Sequence, residues 1–155
     1  MKTQISLGRT FPLNFDWLLR RLLEIALGAL FFWAGLQKVF YSFDFVKAVL
    51  AYRLLPDTLA GITAAALPWV EMAAGLLLVL GVKRRSCLLL LGLLLGGFIV
   101  IMVITMARGL KINCGCGLFQ NREVGPLMIL EDSAFLAWAV GLYWWELRSV
   151  PSKQP

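Results

Sequence analysis

Histidine is absent from the 155-residue sequence, cysteine occurs three times, and only 15% of residues are charged. The lack of histidine weakens any metal site, because a zinc ion takes four ligands and only three cysteines are on offer beside the carboxylates. So small a charged fraction cannot clothe a water-soluble domain, where about a quarter of residues are charged. Long polar segments are missing too, which leaves no room for a soluble domain of about 50 residues or more. Nor does an A-x-A-like site follow the first apolar run, so the N-terminal segment is expected to be a retained anchor, not a cleaved signal.

What fills the sequence is apolar: 60% of residues are hydrophobic, and the mean hydropathy is +0.79. A helix that crosses a hydrocarbon core needs roughly 20 largely apolar residues, since each backbone polar group must be satisfied within the segment. Four stretches meet that length, at about 22–40, 59–82, 87–106 and 126–145. The expectation is a single all-α domain, a membrane-spanning four-helix bundle in contact with the lipid bilayer. Trp17, Tyr41, Tyr52, Tyr143, Trp144 and Trp145 gather near segment ends, where amphipathic rings settle at the headgroup level.

The net charge of +6 does not indicate a nucleic-acid partner, because the basic residues bracket apolar segments instead of forming a stripe with exposed aromatics. Their distribution predicts orientation. Lys83, Arg84 and Arg85 crowd one tight connection, on the same side as Arg20, Arg21, Arg148 and both termini. Short basic loops stay in the cytoplasm. Both termini are therefore expected inside, and the connections 41–58 and 107–125 on the periplasmic face of an inner membrane.

The first outer connection is not polar. Phe45, Val46, Val49, Leu50 and Leu54 recur at helical spacing and Pro56 ends the run, so a surface helix is expected there, either half in lipid or packed as a loop helix. Gly28, Gly35, Gly75, Gly92, Gly96 and Gly97 are expected where helix backbones approach closely.

The second outer connection carries Cys114-Gly115-Cys116-Gly117. A disulfide needs its two Cα atoms within about 7 Å, which residues two apart reach only in a bent backbone, and the glycines allow one. A bridge closing so small a loop gains little chain entropy and exchanges readily. A redox-active pair, a structural bridge and a pair with no special role all stay open, with metal binding the poorest fit. Cys87 is expected at the far end of the third span, a small buried hydrophobe.

Charged groups inside a span cost several kcal/mol, on insertion scales about 2.5 to 3.5 each at the centre, and so need a partner or a task. Lys38, Glu71, Glu131 and Asp132 are expected to meet in the outer half of the bundle. Adjacent residues on a helix point about 100° apart, so Glu131 and Asp132 face different neighbours. Charge compensation and a proton relay serving thiol chemistry are equally open.

The order Ala34-Gly35-Leu36-Gln37-Lys38, Leu55-Pro56, Leu67-Pro68-Trp69-Val70-Glu71, Ala74-Gly75-Leu76, Leu80-Gly81, Arg108-Gly109 and Cys114-Gly115-Cys116 resembles the MauE branch of the DoxX-like membrane proteins over about residues 25–145. The resemblance implies a four-helix inner-membrane protein of methylamine utilisation, acting with a periplasmic thioredoxin-like protein on disulfides of an amine dehydrogenase subunit. Within it, Cys114 and Cys116 match the family's cysteine pair, Lys38 its first-span lysine and Glu71 its second-span glutamate. The chain departs where Gly117-Leu118-Phe119 follows the pair and where Glu131 stands in place of a basic residue.

The function expected is thiol-disulfide redox or maturation of a periplasmic partner, with Cys114 and Cys116 exchanging and Lys38, Glu71, Glu131 and Asp132 moving protons. Location alone suggests a quinone as electron carrier. The alternative is a non-catalytic anchor or assembly factor. A small transporter built on Lys38 and Glu71 is disfavoured by unbroken spans without inverted repeats.

Overall fold

The computed structural model describes residues 15–110, 112 and 125–148. Among these residues five helices follow in order: α1 Phe15–Phe40, α2 Ser42–Ala51, α3 Asp57–Leu80, α4 Arg84–Ala107 and α5 Pro126–Arg148. Among the described residues α1, α3, α4 and α5 are long and apolar enough to cross a membrane, and at 1.5 Å per residue each measures roughly 35 Å or more. Leu93 and Leu130 are both 66% exposed and Ile62 61%. Helices apolar on their outer faces as well as their inner ones fit hydrocarbon, not water. The all-α four-span architecture expected from hydropathy is the one observed.

α1 begins at Phe15, well before the expected Leu22. Arg20 and Arg21 look like a solvated flank, but their charges are satisfied inside the bundle. The Arg21 guanidinium donates to the carbonyls of Leu78 (3.1 Å) and Val79, which belong to the last turn of α3, where carbonyls lack helical partners and the helix dipole is negative. That turn closes on Gly81, whose φ of 79° is left-handed. A Cβ there would lie 2.9 Å from the Arg21 guanidinium. Chain reversal and arginine capping are thus one feature.

The spans associate as two pairs, α1 with α3 and α4 with α5, and α1 touches α5 only sparsely. α1 and α3 run antiparallel with backbones almost in contact. A Cβ on Gly75 would lie 2.5 Å from the Gly28 carbonyl oxygen, and one on Gly35 would lie 2.8 Å from that of Pro68. Small residues are what allow such an approach between membrane helices. Of the other glycines expected at contacts, Gly96 and Gly97 have nothing within 4 Å of an added Cβ and Gly92 has only Leu136 at 3.9 Å. Those expectations were wrong. α4 and α5 hold together with side chains, since Leu88, Leu91, Ala139 and Leu142 share the core cluster with Leu27 and Leu78 of the first pair.

α2 is the helix expected in the first connection, although the face it buries is Phe45, Ala48 and Tyr52, while Leu50 and Leu54 are exposed. It packs mainly against α3.

Candidate functional site: a buried ion pair beside a cavity

Lys38 stands near the end of α1, and Glu71 stands on α3 about two turns deeper than the residue facing Lys38 across the Gly35–Pro68 contact. Side chains on a helix lean toward its N-terminus. In an antiparallel pair that tilts Lys38 inward and Glu71 outward, so they meet. The Lys38 ammonium donates to both carboxylate oxygens, at 2.7 and 2.6 Å, with residues 5% and 1% exposed. A lysine this close to a helix end ordinarily snorkels toward headgroups. Here its Nζ lies 5.6 Å from the ring of Phe45 and 5.2 Å from that of Phe98. Buried Phe45 of α2 covers the outward side, and both rings offer cation–π attraction.

The pair lines one side of a cavity of about 50 Å³ bounded also by Ala34, Phe98, Asp132 and Phe135. The cavity lies where the α1–α3 and α4–α5 pairs meet, with walls from all four spans. Its volume exceeds the roughly 10 to 15 Å³ that one water requires. Asp132 is thereby brought to Lys38 and Glu71 as expected, while Glu131, one residue away, does not line the cavity. Hydroxyls nearby are spoken for: Ser133 Oγ donates to the Ile129 carbonyl at 2.6 Å and Thr105 Oγ1 to that of Ile101 at 2.8 Å, the usual i−4 bonding of helical hydroxyls.

Cys114 and Cys116 lie outside the described residues. The helices that flank their connection do not: α4 ends at Ala107 and α5 begins at Pro126, at the end of the bundle where Lys38 and Asp132 stand. Cys87 is buried and sits at the start of α4, at the opposite end.

Two features were missed from sequence. The first joins the base of the cysteine connection to the corner after α2, where Arg108 Nη1 donates to the carbonyls of Tyr52 (3.0 Å) and Arg53 (3.5 Å). Arg53 has a left-handed φ of 49°, a strained setting for a residue with a Cβ. Tyr52 itself is buried, and burial together with the nearby Asp132 charge pushes its phenol up to about 12. A phenol whose folded pKa exceeds the unfolded value of about 10 binds its proton more tightly when folded. Its stabilising contribution is whole below about pH 10 and is lost as pH rises toward 12. Phenolate absorbance is expected to show one late component near pH 12 that Tyr52→Phe removes, and an unchanged titration in that variant would refute the placement.

The second missed feature is a charge cluster at the opposite end. Glu24, fully buried, accepts from Arg21 at 3.1 Å and Arg84 at 3.5 Å, and lies 3.8 Å from Arg20, which pairs with Glu146 at 2.7 Å. The spacing of Arg20 and Arg21 to Glu24, four and three residues, is the sequence signal that reveals it. These bridges tie α1 to α4 and α5, so the two helix pairs are stitched together at the end far from the cavity.

A family model described as methylamine utilisation protein MauE matches residues 16–145. Methylamine utilization protein MauE of Methylorubrum extorquens is 32% identical over 115 residues, which cover 72% of this chain and 61% of that protein. Its namesake in Paracoccus denitrificans is 32% identical over 124 residues, 77% of this chain and 66% of that protein. The chain thus spans slightly less than two thirds of the length of these curated relatives. No solved structure matches it. With the family model running from the first turn of α1 into the last turns of α5, the chain belongs to the MauE family of methylamine utilisation proteins.

Proposed function

We propose that this protein is the membrane component of a thiol-disulfide system that forms or maintains disulfides in a periplasmic partner, with both of its own termini in the cytoplasm of a cell whose inner membrane it spans. The observation that carries the proposal is the buried Lys38–Glu71 pair opening on a cavity with Asp132, at the end of the bundle from which the Cys114–Cys116 connection departs. Thiol oxidation releases protons, and a desolvated lysine–carboxylate set is a suitable acceptor for them. Cys114 and Cys116 exchange with a thioredoxin-like protein through a mixed disulfide. Lys38, Glu71 and Asp132 hold and pass the proton, with Glu131 as a further carboxylate of the relay. The family name makes methylamine utilisation the setting, with an amine dehydrogenase subunit as client.

The alternative, an anchor or assembly factor that works by binding alone, separates cleanly. Replacing both Cys114 and Cys116 by serine is expected to leave the protein in the membrane at its usual level while client disulfides fail to form, read by the client's mobility on non-reducing gels. Client disulfides that form normally in that variant would establish the anchor reading.

A further inference from the structure

The cavity has a chemical character that a proton store does not require. An ammonium has three N–H donors. Glu71 takes two from Lys38, and among the described residues no other oxygen accepts from it within hydrogen-bond distance; the ring faces of Phe45 and Phe98 stand near it, and Asp132 shares the cavity. The remaining wall is aromatic and aliphatic, with Phe31, Phe98 and Phe135 around Asp132. A buried donor beside flat apolar rings suits a planar, apolar molecule that carries a carbonyl oxygen.

Access points the same way. The two helix pairs are bridged at one end by Arg20–Glu146 and Arg84–Glu24 and at the other by Arg108 on the Tyr52 carbonyl. Between those ends α1 and α5 are scarcely in contact, and the cavity residues Leu30, Phe31 and Phe135 are only half-buried. The cavity therefore faces the bilayer sideways, between α1 and α5. A molecule dissolved in lipid reaches it without crossing an aqueous face.

We infer that the cavity receives the carbonyl edge of a membrane quinone, which accepts the third N–H of Lys38 while the ring itself lies in the lipid-facing opening beside Phe135. The inference rests on the thiol-disulfide reading and supplies its electron acceptor. Two thiols of Cys114 and Cys116 lose two electrons and two protons as the S–S bond forms, and the quinone takes up both pairs to become quinol. The cationic Lys38 stabilises the oxygen on which negative charge develops, and Asp132 lies beside it to carry a proton.

The test uses the purified full chain in detergent with ubiquinone-1, binding being followed by quenching of tryptophan fluorescence. Saturable binding is expected in the wild type and, equally, in a Cys114→Ser/Cys116→Ser variant. It should weaken at least tenfold in Ala34→Leu, which fills the cavity without altering charge, and in Lys38→Met/Glu71→Leu, which removes the donor while leaving the net charge of the site unchanged. Circular dichroism and thermal midpoints identify folded variants, and Asp132→Asn serves if either fails to fold. Binding that does not saturate, or that the cavity variants leave unchanged, overturns the inference even if the cysteines exchange normally. Quinol formation by the reduced protein, followed by ultraviolet absorbance, is expected in the wild type only. Intact binding with no quinol formed would instead count against the thiol-disulfide reading.

Discussion

Replacing Lys38 by methionine is expected to destabilise the bundle by about 3 to 5 kcal/mol, the cost of removing one partner from a buried ion pair and leaving the other charge uncompensated. Glu71 would keep its carboxylate in a site 1% exposed, where its only described counter-charge had been the lysine 2.6 Å away. Replacing both partners is different in kind. Lys38→Met with Glu71→Leu removes equal and opposite charges, so the net charge of the site does not change, and apolar pairs of similar volume are often as stable as the ion pair they replace. The double variant is therefore expected to recover most of the loss, measured as thermal midpoints in detergent. If it is as unstable as Lys38→Met alone, the two groups do not act as a pair. If the account is right, the double variant is stable and inactive, because an ion pair that contributes little to net stability is there for its chemistry.

Glu24→Gln is expected to have a comparable effect on stability, about 3 kcal/mol, and a different effect on function. Its carboxylate is fully buried among Arg20, Arg21 and Arg84, and the amide carries no charge to balance three guanidinium groups. Part of the loss is buffered, since Arg20 retains Glu146 and Arg21 retains the α3 carbonyls. Because this cluster stitches the bundle at the end remote from Lys38, protein that survives the substitution should retain thiol chemistry. A Glu24→Gln protein with an unchanged unfolding midpoint, or a stable one without activity, would contradict the division of labour between the two ends.

Much of this architecture was legible in advance because the bilayer imposes a length and a polarity on each span. The four spans and the helix at 42–51 follow from runs and periodicity. The meeting of Lys38, Glu71 and Asp132 followed from the expense of charge in hydrocarbon, which forces intramembrane ions to find each other. What could not be read was which groups serve as flanks and which turn inward. Arg20 and Arg21 have the composition of a cytoplasmic flank, yet apart from Glu24 on the same helix their partners lie on α3 and α5, contacts that no local pattern encodes. Glycines were ambiguous for the same reason. Gly28, Gly35 and Gly75 sit where two backbones meet, whereas Gly96 and Gly97 face open space, and only the pairing of α1 with α3 tells them apart. Tyr52, which suggests a headgroup anchor, is instead covered and bound through its carbonyl by Arg108.

In the proposed function a reactive cysteine pair works on the periplasmic side, at the cavity end of the bundle. Labelling of intact cells with a membrane-impermeant maleimide tests it most directly, with and without prior reduction. Cys114 and Cys116 are expected to react only after reduction, and Cys87, buried at the other end, in neither condition, as a Cys114→Ser/Cys116→Ser control confirms. Failure of the pair to label after reduction, or equal labelling without it, would contradict the account.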